Sequence, residues 1–67
     1  MAVLKVIEVM ANSKESWEDA AKKAVKHAAK SLKHIKSAFV QSQSLVVNDN
    51  NVEEYRVNVK ITFEVKD

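Results

Sequence analysis

The sharpest pattern in the chain lies in residues 52–65, where apolar and polar positions alternate. Tyr55, Val57, Val59, Ile61, Phe63 and Val65 take one side, in a row that Glu53 opens, while Glu54, Arg56, Asn58, Lys60, Thr62 and Glu64 take the other. A period of two predicts a strand with one buried and one wet or ion-paired face. Its length exceeds the usual strand, so it is expected to run past the domain's own sheet. Residues 2–10 are rich in Val and Ile and predict another strand. Val3, Ile7 and Val9 share one face with Lys5, and Leu4, Val6 and Met10 share the other with Glu8. Neither face is cleanly polar, so both are expected to be at least partly covered. Residues 37–47 predict a third strand, with Phe39, Gln41, Gln43, Leu45 and Val47 in one row and Ala38, Val40, Ser42, Ser44 and Val46 in the other.

Between the first two strands the period changes. At about 100° per residue, Trp17, Ala20, Ala21, Ala24, Ala28, Ser31, Leu32 and Ile35 fall on one arc, and Lys22, Lys26, Lys30 and Lys33 fall opposite. This predicts a helix over Trp17–Ile35. Its mostly alanine stripe suits close packing on a sheet. Ser16 is the expected N-cap, with Asp19 three residues later in a capping-box-like pattern. Glu15, Glu18 and Asp19 at the start and Lys30, Lys33 and Lys36 at the end complement the helix dipole. The element order is β-α-β-β. It predicts an α+β fold, a single domain over residues 1–67, with a three-stranded antiparallel sheet in the order 1-3-2 packed on one helix.

Composition adds a constraint on stability. A 67-residue chain without cysteine has no disulfide to staple a thin core. Cores of this size rarely supply more than about 3–5 kcal/mol, which points to oligomerisation. Glycine and proline are absent too, so the turns fall to Asn12-Ser13 and Asn48–Asn51, where Asn and Asp tolerate left-handed backbone. The net charge of +2 sits mainly as a solvated lysine face on the helix. No nucleic-acid motif accompanies it, and no nucleic-acid partner is expected. No apolar run reaches the roughly 20 residues of a membrane span, and no signal peptide is recognisable. No membrane partner and a cytoplasmic location are the expectations.

No catalytic constellation stands out, so the chain reads as a binding or storage module and not as an enzyme. There is no glycine-rich phosphate loop, and the serines have no evident base. His27 and His34, on one predicted helix, would stand about 10 Å apart, too far to share a metal. Trp17 reads as a core or interface anchor. The acidic cluster at the helix start is the one candidate for a hard cation, which needs several converging oxygens.

The strand VLKVIEV, the stretch Asn12-Ser13-Lys14-Glu15-Ser16-Trp17-Glu18-Asp19-Ala20-Ala21, the Ala- and Lys-rich helix, Leu32-Lys33-His34-Ile35-Lys36, and a terminal hairpin with Tyr55-Arg56-Val57 and Phe63-Glu64-Val65 together resemble the dodecins. The resemblance spans nearly the whole chain. It implies a β-α-β-β protomer assembled with itself into a hollow homododecamer. In flavin-binding dodecins, riboflavin, lumichrome or FMN stacks on tryptophans from symmetry-related subunits. Ser37 occupies that tryptophan position here, and Arg56 occupies the position of a glutamine that often bonds the flavin ring. Serine offers no π face, whereas stacking on an aromatic is worth about 1–3 kcal/mol per ring. Other dodecin-like proteins lack the tryptophan, carry a similar helix start and are described as calcium-binding. The chain looks closer to these. The resemblance places a cation (calcium or magnesium) near Glu15, with Glu18, Asp19 and Asp49 as weaker candidates. A symmetry axis would complete such a site with one carboxylate from each subunit. The implied function is a shell that binds or sequesters a small ligand, with flavin at an altered pocket, a cation, or a purely structural role as the alternatives.

Overall fold

The computed structural model describes residues 2–66. Strand β1 spans Val3–Ser13, helix α1 Trp17–Ala28, strand β2 Ile35–Asn48 and strand β3 Asn51–Val65. The sheet is antiparallel in the order β1-β3-β2, as the alternation implied. The strand with the cleanest two-sided pattern is the central one, hydrogen-bonded on both edges. Its register aligns Ile7 and Ala38 with Ile61, and Val9 and Val40 with Val59.

The core is thin. Ala20, Ala24 and Ala28 of α1 are buried against Val57, Val59 and Ile61 of β3, and Val9, Ala11, Trp17, Ala21, Leu32 and Ile35 pack around them. Methyl-sized side chains at i, i+4 and i+8 let the helix axis approach the sheet closely. Trp17 pins the helix start. Its ring stands edge-on to Tyr55 at 5.2 Å between centroids, and its Nε1 donates to the Ser44 carbonyl at 3.1 Å.

The helix is shorter than its apolar stripe. It stops at Ala28, and the next residues tighten: Lys30 N–H donates to His27 O, and the N–H groups of Ser31 and Leu32 both donate to Ala28 O. Leu32 and Ile35 still reach the core, but Leu32 does so from a turn and Ile35 from the first position of β2. Tertiary geometry overrides local propensity here, because the chain must reverse to set Ile35 opposite Phe63. His34 makes that reversal with left-handed backbone, φ 63°, and its carbonyl accepts from Glu64 N–H at 3.0 Å. Histidine is among the residue types enriched in that region. His27 and His34 therefore do not share a helix. The other left-handed residues among those described are Asp49 and Asn50 at the hairpin tip, where the Asn/Asp cluster predicted a turn.

Strand β2 departs from simple alternation. Irregularities fall between Ile35 and Ser37, between Val40 and Ser42, and between Val46 and Val47. The extra residue at Gln41 exchanges the faces. Ala38, Val40, Gln43 and Leu45 pair in register with helix-side residues of β3, whereas Ser37, Phe39, Ser42 and Ser44 pair with the opposite row. The two continuous rows expected from a period of two are thus each split at Gln41.

Candidate functional site

Two regions carry the candidate residues: the sheet face away from the helix, and the turn that leads into α1. The first collects Leu4, Val6 and Met10 from β1 and Phe39 from β2, flanking the polar row of β3. These four side chains are 54%, 56%, 61% and 66% exposed. Between them lies Asn58, opposite Met10 and Ser42, whose Oδ1 is buried without a hydrogen-bond partner. Orphaned buried acceptors are uncommon in folded proteins, and this one sits in the polar row of β3 between exposed apolar side chains of the neighbouring strands.

Ser37 and Arg56 both lie on this face. Ser37 is exposed on β2 opposite Thr62, and half-buried Arg56 lies on β3 opposite Ser44 and Asn12. Thr62 and Arg56 are six residues apart along β3, which is about 20 Å. One protomer therefore does not bring the two residues together. The Arg56 guanidinium is engaged locally, with Nε donating to Asn12 Oδ1 at 2.9 Å. Asn12, assigned from the sequence to a turn, is instead the penultimate residue of β1.

The turn into α1 is built around Ser13. This side chain is 2% exposed. Its Oγ donates to Asp19 Oδ2 at 2.6 Å and accepts from Glu15 N–H at 2.9 Å and Ser16 N–H at 3.5 Å. Ser16 is the N-cap, with Oγ accepting from Asp19 N–H at 2.9 Å. The reciprocal half of a capping box does not form: the Asp19 carboxylate turns to Ser13, and to Lys23 Nζ at 3.1 Å. The Ser13 hydroxyl, followed by Lys23, holds the Asp19 carboxyl below its ordinary value, and desolvation opposes this in part. Ser13 was missed as a site residue. Its link to Asp19 spans six residues, a separation that carries no periodic signal.

Glu15 and Glu18 are exposed and form no ion pair among the described residues. Asp49 lies in the hairpin tip, beyond the last β1–β3 pair, Ser13↔Tyr55, and joins none of them. No group of three His, Cys, Asp or Glu side chains among the described residues converges as a metal-binding set. Glu15 is thus an available oxygen donor, Asp19 is largely spent on structural partners, and a complete coordination shell is not present within one protomer.

The dodecin family profile matches residues 3–66, almost all of the described chain. The chain belongs to the dodecin family. Calcium dodecin of Mycobacterium tuberculosis is 35% identical over 66 residues, covering 98% of this chain and 93% of that protein. The crystal structure of that calcium-chelating protein, described with a novel calcium-binding site, superposes with a TM-score of 0.86 at 34% identity, covering 96% and 91% of the two chains. A mutant dodecin of Thermus thermophilus superposes at 0.92 with 27% identity and full coverage of both chains. The 1-3-2 sheet with its single helix is the dodecin protomer fold. Among the described residues, no helix of this dodecin is long and apolar enough to cross a membrane.

Proposed function

We propose that the protein is a binding protein, not an enzyme: a cytoplasmic homo-oligomeric shell, dodecameric in form, that sequesters a small ligand. The chain acts as one domain whose own core is insufficient. The observation that carries the reading is the uncovered sheet face. Burying a fully exposed large apolar side chain contributes about 1.5–3 kcal/mol; Leu4, Val6, Met10 and Phe39 start a little over half exposed, so covering them offers roughly 4–7 kcal/mol per protomer. This is comparable with the lower end of the net stability of an ordinary domain. A second copy of the chain is the partner that supplies such a cover repeatedly.

For the ligand, a divalent cation at the turn before α1 is favoured over a flavin. Glu15 offers a carboxylate with no competing ion pair among the described residues, while Asp19 is occupied by Ser13 and Lys23. Glu15 would hold the cation, with Glu18 beside it and equivalent residues of neighbouring copies completing a hard oxygen shell. The 35% identity to a calcium dodecin supports the same choice. A flavin at Ser37 and Arg56 would need to be gathered from different subunits, and Ser37 provides no stacking surface. The test combines mass and ligand titration. Light scattering should give a species of several protomers, and calcium should raise Tm. Glu15→Gln should abolish the calcium shift without changing the mass. A monomer at micromolar concentration would overturn the assembly. A calcium shift preserved in Glu15→Gln would overturn the site. Riboflavin or FMN fluorescence quenched to saturation near one flavin per subunit would transfer the assignment to the flavin pocket. Ser37→Trp should strengthen flavin binding about 5- to 140-fold, the equivalent of about 1–3 kcal/mol.

A further inference from the structure

The helix serves the two edges of the sheet unequally. From β1, Val9 and Ala11 pack against the buried core, whereas from β2 only Ile35, at the strand's first position, does so among the described residues. Ala38 and Val40 of β2 occupy the helix-side row, opposite Ile61 and Val59 of the central strand. Both are nevertheless exposed, Val40 to 39%. Trp17 reaches β2 at the helix start, through the Ser44 carbonyl. From Ala21 onward a groove of about 380 Å³ lies between α1 and β2, lined by Ala21, Lys22, Val25, Lys26, Ala38 and Val40. Its lining carries two kinds of group. Ala21 and Val25, one helical turn apart, and Ala38 and Val40, two strand positions apart, form an apolar strip. Lys22 and Lys26, also one turn apart, add two ammonium groups. Both lysines are exposed, and neither forms an ion pair among the described residues. No carboxylate lines the groove.

We propose that this groove is a binding site for a small amphipathic carboxylate of the medium-chain fatty-acid type, distinct from the face buried by assembly and from the acidic turn. Ligand sites are concave and mostly apolar, with a few polar groups that fix orientation, and the groove has that make-up. Each lysine ammonium offers three donors and no acceptor, so the pair selects a head group that only accepts, and its charge selects an anion. Lysine stems lie along apolar surface while their charged ends stay in water. The carboxylate is therefore held at the wet rim by Lys22 and Lys26, and the alkyl chain lies along the strip between Val25 and Val40. Covering Ala38 and Val40 in this way completes the side of the sheet that the helix leaves open.

Isothermal titration of the full chain with hexanoate, octanoate and decanoate, at low ionic strength where charge contacts are least screened, tests the assignment. Saturable binding is expected, tightening about 2- to 4-fold for each added methylene, and octylammonium should not bind. Lys22→Gln and Lys26→Gln should each weaken octanoate about 2- to 5-fold, with Lys14→Gln, in the turn before the helix, as an unaffected control. Val40→Asp sets a carboxylate in the groove and should abolish binding. The two lysine variants keep the test decisive if Val40→Asp disturbs the strand. Absence of a saturable signal at millimolar decanoate, affinity independent of chain length, or octylammonium binding as tight as octanoate would each overturn the proposal. So would an equal loss in Lys14→Gln, which would show only diffuse charge attraction, or octanoate affinity unchanged in both Lys22→Gln and Lys26→Gln.

Discussion

The close approach of α1 to the sheet depends on alanine, and Ala24→Leu tests that dependence. Ala24 is 1% exposed, flanked along the helix stripe by Ala20 and Ala28, and packed in one cluster with Val57, Val59 and Ile61, each 1% exposed or less. Three added carbons have no void to enter. Overpacking of this kind costs about 1–3 kcal/mol. In a domain of this size each kcal/mol moves Tm by about 4–8 °C, so Ala24→Leu should melt about 5–20 °C below the wild type. Ala29→Leu is the control: the same substitution, five residues further on at the helix C-cap, at an exposed position. Melting should be followed by circular dichroism at one fixed protomer concentration, since assembly contributes mass-action stability. Ala24→Val should fall between wild type and leucine. If Ala24→Leu melts with the Ala29→Leu control, the helix does not lie where its small residues require, and the account of the core fails.

The lowered Asp19 carboxyl predicts an acid limb. Its contribution is fully present above the ordinary carboxylate value of 3.8 and is lost as pH falls through the lowered folded value. Ser13→Ala should flatten the fall of Tm between about pH 5 and pH 2, and an unchanged acid limb would show that the hydrogen bond does not govern it. Met10→Asp places a charge in the uncovered face and should shift light-scattering mass toward the 7.5 kDa protomer; retention of full mass would mean that this face is not the assembly surface.

What the sequence disclosed followed from where packing obeys a simple period. β3 was legible because one of its faces meets the helix and the other does not, so each residue type reports its side. The apolar stripe of α1 correctly named its buried alanines, but Leu32 and Ile35 continued the period beyond the helix. They serve the same core from a turn and a strand, and no local signal separates that arrangement from two further helical turns. The bulge at Gln41 was equally silent, because both rows of β2 mix apolar with small polar residues. Of the site residues, Glu15, Glu18, Asp19, Ser37 and Arg56 were selected by resemblance or charge. The bond between Ser13 and Asp19 needed three dimensions.

The central strand is also the last of the three to be made. β3 is translated after both of its neighbours, and β1 and β2 hydrogen-bond only to it, never to each other. While the ribosome still holds β3, the nascent chain can form its helix but has no sheet for the alanine stripe to settle on. The pairing of Val3 with Val65 closes nearly the whole chain at once, which makes folding a late, all-or-none event for each protomer. A ribosome stalled within β3 would therefore carry two unpaired Val-rich edges exposed together, the state of this chain most in need of a chaperone.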